Sequence, residues 1–127
     1  MTEHDHQVAL FQWAALYQQQ IPELALLYAN QLGGKRPKAT AIRMKREGAK
    51  AGVPDVTLPV ARGGYHGLYI EMKVGKNQLT EKQEWWFEQL RKQGYKCVAC
   101  WGWEAARDEI SNYLGIAQED QSWLDSM

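Results

Sequence analysis

The pattern of apolar and polar residues divides the first half of the chain into three elements. Apolar side chains recur at three- and four-residue spacing over residues 4–19, which predicts an amphipathic helix that ends before Pro22. Residues 24–29 are continuously apolar, and a run this short favours a buried strand over a helix. Residues 38–50 are mostly good helix formers and end near Gly52, so we expect a second helix with an exposed cationic face.

The middle of the chain has the pattern of a β-hairpin. Residues 55–61 and 68–74 are two arms of similar length that are rich in Val, Thr, Leu, Tyr and Ile. The glycine-rich segment between them, residues 62–67, is typical of a turn. Folding the two arms antiparallel about this turn brings Asp55 opposite residues 71–75.

The last third of the chain begins with a helix-capping signal. Thr80 stands at the N-cap position and Gln83 at N3, a capping box that opens a helix ending at Gly94. A strand over residues 95–101 and a last helix over residues 103–114 follow. The predicted order, α β α β β α β α, indicates an α/β protein with a mixed β-sheet flanked by helices.

Length and composition limit the class of protein. The 127 residues are 45% hydrophobic and 24% charged, which predicts one folded domain over residues 1–127 with a loose acidic tail from about residue 116. The longest apolar run, residues 24–29, is too short to span a bilayer, and the polar, acidic N-terminus is unlike a signal peptide. We therefore expect a cytoplasmic protein without a membrane partner.

The charges are unevenly distributed, although the formal net charge is zero. Residues 32–52 carry a net charge of +6, whereas residues 1–31 carry −3 and residues 104–127 carry −5. A cationic cluster of this kind is typical of a phosphate-binding surface, and a solvated basic face is the alternative. The predicted contacts with a nucleic-acid backbone are Lys35, Arg36, Lys38, Arg43, Lys45, Arg46 and Lys50.

The pair Cys97 and Cys100 has the CxxC spacing found in zinc and redox sites. The sequence has no second such pair, and residues three apart on a strand point to opposite faces of the sheet. We therefore expect two ordinary strand cysteines, buried or half-buried.

Six tryptophans in a chain of this size cannot all lie deep in one core. Core packing is the expectation for most of them. One or two are expected at a subunit interface or stacked on an unpaired base. The six are Trp13, Trp85, Trp86, Trp101, Trp103 and Trp123.

The hairpin carries the main candidate for chemistry. Asp55 and Glu71 are expected to meet across it, and the strand period of two places Lys73 on the same face as Glu71. Two carboxylates at close range repel each other, and a divalent cation between them would remove this repulsion. Mg²⁺ prefers oxygen ligands, so the two carboxylates and the backbone carbonyl of Met72 form a predicted site. Zinc is disfavoured because His66 is the only histidine of the hairpin.

Several further motifs, spread over most of the chain, accompany this predicted site. They are Glu3 with Gln7, Gly33-Gly34-Lys35-Arg36, Gly52-Val53-Pro54-Asp55, Glu71-Met72-Lys73, and Gln83 leading to Trp86 and Leu90. Together they resemble the PD-(D/E)xK nuclease superfamily, and more closely the VRR-NUC family, including the small stand-alone proteins of phages and prophages. The resemblance implies a restriction-endonuclease-like fold and a requirement for Mg²⁺ or Mn²⁺.

The resemblance also implies a role for each site residue. Asp55 and Glu71 would bind the metal, and Lys73 would be the catalytic lysine, which orients or deprotonates the attacking water. Gln83 would be an active-site glutamine, although the capping box alone also explains a glutamine there. Glu3 would be an acidic residue supplied by the first helix, and its neighbours at positions 4–6 are the alternatives.

These observations favour a divalent-metal-dependent deoxyribonuclease. It would recognise a DNA shape rather than a base sequence, because the sequence contains no recognition helix or zinc finger. The resemblance further implies a homodimer that resolves Holliday junctions. The alternatives are a nuclease for flaps, nicks or other branched DNA, a non-catalytic DNA-binding domain on the same fold, and a protein-interaction module.

Overall fold

The structure, a computed structural model, describes residues 1–30 and 37–116. Two predicted DNA contacts, Lys35 and Arg36, therefore lie outside the described residues, as do the acidic tail and Trp123. Within the described ranges the elements follow one another in the predicted order, with one additional 3₁₀-helix. No helix in these ranges is long and apolar enough to cross a lipid bilayer.

The first predicted helix is confirmed as α1, Glu3–Tyr17. A reciprocal capping box between Thr2 and Asp5 starts it. The buried side chains repeat at intervals of three and four residues, so one face of α1 packs on the core. These residues are Leu10, Trp13, Ala14 and Tyr17.

The predicted buried strand over residues 24–29 is wrong for most of its length. Pro22–Leu26 form a 3₁₀-helix, and only Tyr28–Ala29 pair as a strand, β1. Proline suits the first position of this helix because its φ is fixed there and its missing N–H leaves no donor unpaired. Leu24 and Leu27 are both buried, which follows the three-residue period of a 3₁₀-helix. An uninterrupted apolar run shows no such period, so the sequence pattern did not reveal it.

The cationic helix is confirmed as α2, Lys38–Arg46, and it ends earlier than predicted. The chain leaves the helix through Glu47 and Gly48, and the φ of Gly48 is +104°, a value that favours glycine. All residues of α2 are exposed or half-buried. Helix α2 is therefore a surface helix with its cationic side chains in solvent.

In the described part of the chain, four strands form one mixed sheet in the order β1-β2-β3-β4. Strands β2, Val56–Leu58, and β3, Leu68–Lys73, form the predicted antiparallel hairpin. Strand β4, Lys96–Trp101, runs parallel to β3, and β1 is antiparallel to β2. Strand β2 is shorter than predicted because Pro59 follows it and has no N–H for a ladder bond.

Two further helices flank the sheet. Helix α3, Glu81–Lys92, connects β3 to β4, as a parallel strand pair requires, and it begins with the predicted capping box between Thr80 and Gln83. Helix α4, Trp103–Tyr113, follows β4 and packs against α1, β3 and β4. Helix α3 packs against β4. The predicted α/β architecture, a mixed sheet flanked by helices, is confirmed.

Both cysteines are free and buried in β4, as predicted for ordinary strand residues. Cys100 belongs to the main hydrophobic core, and Cys97 is buried outside it. Burial raises the pKa of Cys97 to about 11 and that of Cys100 to about 12. Both thiols therefore remain protonated at neutral pH and do not act as thiolates.

The described tryptophans divide between core and surface. Trp13 is fully buried, and Trp86 and Trp103 are half-buried. Trp85 is 54% exposed and Trp101 is 43% exposed. Trp85 and Trp101 are therefore surface residues and do not belong to the core.

Candidate functional site

The register of the hairpin places Asp55 beside Glu71. Strands β2 and β3 pair Val56 with Ile70, so Asp55 and Glu71 lie one step further along the two strands. The Oδ2 atom of Asp55 accepts a hydrogen bond from the backbone N–H of Met72 at 2.9 Å. This bond holds the Asp55 carboxylate against β3, where the sequence predicted that it would lie.

Asn30, at the end of β1, fixes the backbone immediately before β2. Its backbone N–H donates to the carbonyl of Asp55 at 2.8 Å, and its Nδ2 donates to the carbonyl of Pro54 at 2.6 Å. Sequence reasoning assigned no role to Asn30, because a single asparagine carries no signal for a contact with residue 54. We regard Asn30 as a positioning residue for Asp55.

Three carboxylates meet at this end of the sheet. Glu3 from α1, Asp55 and Glu71 each offer one oxygen, and these oxygens all lie within 4.8 Å of one another. Glu71 is only 2% exposed, whereas Glu3 and Asp55 are half-buried. The structure therefore brings together all three predicted acidic residues, with Glu71 at the buried side of the cluster.

The surroundings of Glu71 oppose its ionisation. Burial raises the pKa of Glu71 to about 9, and its hydrogen bond to Asp55 and the negative charges of Asp55 and Glu3 act in the same direction. The ammonium of Lys73 acts in the opposite direction but does not compensate. Without a cation, Glu71 therefore keeps its proton at neutral pH.

Lys73 lies on the same face of β3 as Glu71, as predicted. Its Nζ is 3.9 Å from the Oε2 of Glu71, and the residue is only 6% exposed. A buried ammonium is costly unless it lies beside negative charge, and the carboxylate cluster supplies that charge. The site thus contains a hydrogen-bond donor next to the three acidic groups.

Gln83 makes the predicted capping contact and also reaches the carboxylate cluster. Its Oε1 accepts the backbone N–H of Thr80 at 2.9 Å, which completes the capping box of α3. Its Nε2 donates to the Oε2 of Glu71 at 3.2 Å. The amide of Gln83 therefore fixes both the start of α3 and one carboxylate oxygen of Glu71. A catalytic role for Gln83 stays a prediction.

Two neighbours of Glu3 in the first turn of α1, Asp5 and His6, are engaged elsewhere. The Oδ2 of Asp5 accepts the backbone N–H of Thr2 at 2.8 Å, and this hydrogen bond lowers the pKa of Asp5. The Nδ1 of His6 accepts the backbone N–H of Trp103 at 3.0 Å, which ties α1 to the start of α4. Among these candidates, Glu3 is the one that lies in the carboxylate cluster.

Asn77 completes the surroundings of Glu3 and was not predicted. Its Nδ2 donates to the Oε2 of Glu3 at 3.3 Å, and its carbonyl accepts the Nε1–H of Trp101 at 2.9 Å. Asn77 lies in the polar loop that follows β3, which has no recognisable motif. The one feature of the sequence that could have indicated a role for Asn77 is its position a few residues after Lys73.

The donor set fits a hard divalent cation. Once Glu71 is ionised, its buried Oε1 has no hydrogen-bond donor among the residues that the structure describes. Coordination to a cation would satisfy this oxygen and would favour loss of the proton from Glu71. Mg²⁺ and Mn²⁺ both prefer carboxylate oxygens. The Met72 carbonyl, the remaining predicted ligand, stays a prediction.

The predicted DNA contacts that the structure describes lie on α2 and just after it. Arg43 is already paired, because its Nε lies 3.0 Å from the Oε1 of Glu47. All five predicted contacts in the described ranges are exposed: Lys38, Arg43, Lys45, Arg46 and Lys50. Their exposure is compatible with binding to phosphate, and the contact itself stays a prediction.

Two comparisons with known proteins identify the family of this chain. The sequence profile of the VRR-NUC domain matches residues 1–103, a range that includes every predicted site residue. A solved structure described as a "VRR_NUC domain protein" shares 31% sequence identity and a TM-score of 0.74, over 92% of this chain and 91% of that chain. No protein among the curated sequences matches. The chain therefore belongs to the VRR-NUC family of nuclease domains.

Proposed function

We propose that the protein is a divalent-metal-dependent, structure-specific deoxyribonuclease that resolves Holliday junctions. Nuclease activity follows from its family, and the substrate and the metal are the proposal. The observation that carries it is the convergence of Glu3, Asp55 and Glu71 within 4.8 Å, with a buried and unpartnered oxygen on Glu71. A packing role does not explain this arrangement, because gathering three acidic groups opposes the ionisation of Glu71 and raises its pKa to about 9.

Asp55 and Glu71 are the proposed metal ligands, with Glu3 as a third carboxylate and the Met72 carbonyl as a backbone ligand. The bound Mg²⁺ or Mn²⁺ would supply Lewis-acid stabilisation of the negative charge on the phosphate. Glu71 must release its proton to act as a ligand, because its pKa is raised to about 9 in the protein alone. Metal binding is therefore expected to strengthen as the pH rises.

Lys73 and Gln83 act on the groups around the metal ligands. The Nζ of Lys73 lies 3.9 Å from the Oε2 of Glu71. As an ammonium it would orient the attacking water, and as a neutral amine it would accept a proton from that water. Gln83 donates to the same oxygen and fixes the orientation of the Glu71 carboxylate. We assign Lys73 as the catalytic lysine and Gln83 as a positioning residue.

The basic residues of α2 and the following loop are proposed to bind the phosphate backbone. Backbone contacts position DNA without reading its sequence, so they favour recognition of shape. A Holliday junction is cut symmetrically, which requires two active sites in one complex. We therefore propose a homodimer that acts in the cytoplasm of a bacterium or of a phage-infected host cell.

One cleavage assay tests the reaction and the substrate together. Purified protein is incubated with a four-way junction, a flap, a nicked duplex and a linear duplex, in Mg²⁺, in Mn²⁺ and in chelator. We expect paired symmetric nicks in the junction, dependence on either metal, and loss of cleavage in Asp55→Asn. Binding without cleavage of any substrate would indicate a non-catalytic DNA-binding domain.

If the protein cuts the flap or the nicked duplex preferentially, its substrate is another branched DNA and not the Holliday junction. Cleavage that is unchanged in Lys73→Ala would remove the lysine from the mechanism. Lys92→Ala is a matched control, because Lys92 is an exposed lysine at the far end of α3 that pairs with Glu88. We expect this control to cleave at the wild-type rate.

A further inference from the structure

An open groove of about 610 Å³ lies between the segment after α2 and the outer face of α3. Its volume is within the range of pockets that hold small organic groups, roughly 300–1,000 Å³. Three lysines, two tryptophans and two alanines line it: Lys45, Ala49, Lys50, Ala51, Lys82, Trp85 and Trp86. Among the described residues, no carboxylate contributes to the lining.

The two tryptophans form a fixed aromatic wall. The Nε1 of Trp86 donates to the carbonyl of Ala51 at 3.1 Å, which anchors this ring to the loop. Trp85 packs against it edge to face, with 5.3 Å between ring centroids and 90° between ring planes. Trp85 is nevertheless 54% exposed. Its ring is therefore held in place and still open to a ligand.

Gly52 allows the loop to lie this close to α3. A Cβ atom at Gly52 would lie 2.9 Å from the Cβ of Lys82 and 3.0 Å from the ring of Trp86. The φ of Gly52 is +89°, which other residues rarely adopt. Both constraints fix the loop against the tryptophans, so the wall of the groove is preorganised.

The groove and the carboxylate cluster share their supporting segments. Lys82 in the groove directly precedes Gln83, whose Nε2 donates to Glu71. Ala51 in the groove precedes Asp55 by a short stretch of chain. The groove is therefore connected to the carboxylate cluster through two short stretches of chain, residues 51–55 and 82–83.

We propose that this groove binds an unpaired nucleotide next to the scissile phosphate, with the base stacked on Trp85 and the flanking phosphates near the three lysines. The inference rests on the proposed nuclease function and narrows its substrate. An exposed indole beside cations is the combination by which proteins hold single-stranded nucleic acid. A base inside a duplex is stacked on both faces, so it cannot offer a face to Trp85. The protein would thus favour DNA with an unpaired base at the cleavage site, which in a four-way junction means a base that opens at the branch point.

Charge complementarity favours this occupant over a second copy of the chain. Two copies related by a twofold axis through the groove would bring the three lysines of each copy together. Like charges at that distance are unfavourable. A phosphate backbone instead offers negative charges on both sides of each base, which suits a groove that is lined by three lysines as well as two tryptophans.

Binding measured in chelator tests the groove separately from cleavage. The probes are a blunt hairpin DNA, the same hairpin with a short thymine overhang on either strand end, and the overhang with abasic residues in place of thymidines. We expect wild-type protein to bind one of the thymine overhangs roughly tenfold more tightly than its abasic counterpart. Trp85→Leu should abolish this difference, and Trp85→Phe should retain most of it.

Tyr65→Leu is the matched control, because Tyr65 is a 42% exposed aromatic residue in the hairpin turn, away from the groove. It should keep the wild-type preference, and thermal melting should show that each variant is folded. Equal affinity of the wild type for thymine and abasic overhangs would overturn the proposal. So would a Trp85→Leu variant that dissociates a dimer in sedimentation without a change in the preference, which would make Trp85 an interface residue.

The outcomes distinguish this inference from the proposed function. A preference for thymine overhangs in a protein that cleaves nothing would support the groove and reject the nuclease. Cleavage without any preference for unpaired bases would do the reverse. Lys82→Ala should lower the slope of log affinity against log salt by about 0.7 for single-stranded DNA, and Lys92→Ala should not.

Discussion

Gln83 donates its Nε2–H to the Oε2 of Glu71 at 3.2 Å while its Oε1 caps the first turn of α3. One side chain therefore connects the start of a helix to the most buried acidic residue of the site. A displacement of α3 would move the hydrogen-bond donor away from Glu71. The position of this helix and the orientation of the carboxylate are thus coupled.

This coupling predicts that Gln83→Glu keeps the helix cap and lowers the cleavage activity. Glutamate at N3 keeps an acceptor for the Thr80 N–H, so the contribution of the helix cap to the free energy of unfolding should be retained. It removes the donor to Glu71 and adds a fourth carboxylate, so the rate of cleavage should fall. Urea unfolding and single-turnover cleavage measure the two effects.

Gln83→Ala is the comparison for this prediction. It removes both hydrogen bonds and should lower both activity and stability, the latter by about 0.5–1 kcal/mol. Thr80→Ala removes the cap from the other side and leaves the donor to Glu71 in place. Full activity in Gln83→Glu would show that the contact with Glu71 is incidental.

Glu71→Gln should stabilise the metal-free protein in a pH-dependent way. The pKa of Glu71 is raised from 4.5 to about 9, so the folded state keeps a proton that the unfolded state has lost. The wild type is therefore most stable, with respect to this group, below pH 4.5 and loses that stability as the pH rises toward 9. Glutamine does not titrate and avoids the loss.

Urea unfolding in chelator at pH 5 and pH 8 measures this effect. We expect the stability difference between Glu71→Gln and the wild type to be about 1–3 kcal/mol more favourable to the variant at pH 8. Glu88→Gln is the control, because Glu88 is exposed on α3. The same difference at both pH values would contradict a raised pKa. Activity should be lost in Glu71→Gln, because an amide is a poor ligand for Mg²⁺.

The metal itself should stabilise the folded chain. A ligand at one hundred times its dissociation constant contributes about 2.7 kcal/mol when it binds the folded state alone. We therefore expect saturating Mg²⁺ to raise the melting temperature of the wild type by several degrees and to leave Asp55→Asn and Glu71→Gln unchanged. An equal shift in all three proteins would place the ion elsewhere.

The core of the site was predictable because it depends on two short-range rules. The strand period places Glu71 and Lys73 on one face, and the turn of the hairpin sets which residue faces Glu71. Both rules act within a segment of about twenty residues, so Asp55, Glu71 and Lys73 could be predicted as site residues from the sequence alone. The capping box of α3 was equally local.

Other parts depended on contacts between distant segments. Asn30 and Asn77 reach the site through the pairing of β1 and through the loop after β3, and neither residue has a distinctive neighbourhood in the sequence. The wall formed by Trp85 and Trp86 requires the packing of a loop on α3 through Gly52. The strand prediction for residues 24–29 was wrong for a different reason, because a continuous apolar run fits both a strand and a 3₁₀-helix.

The ion pair between Arg43 and Glu47 should limit the affinity of α2 for DNA. Their side chains lie 3.0 Å apart and are 82% and 63% exposed, so the pair itself contributes little to stability. Glu47→Gln removes a negative charge and frees Arg43, and it should tighten binding to duplex DNA about two- to fivefold. Arg46→Ala should weaken binding and lower the salt slope by about 0.9. Anisotropy titrations in chelator over a range of salt measure both variants, and a basic face without a role in binding would leave both at the wild-type affinity.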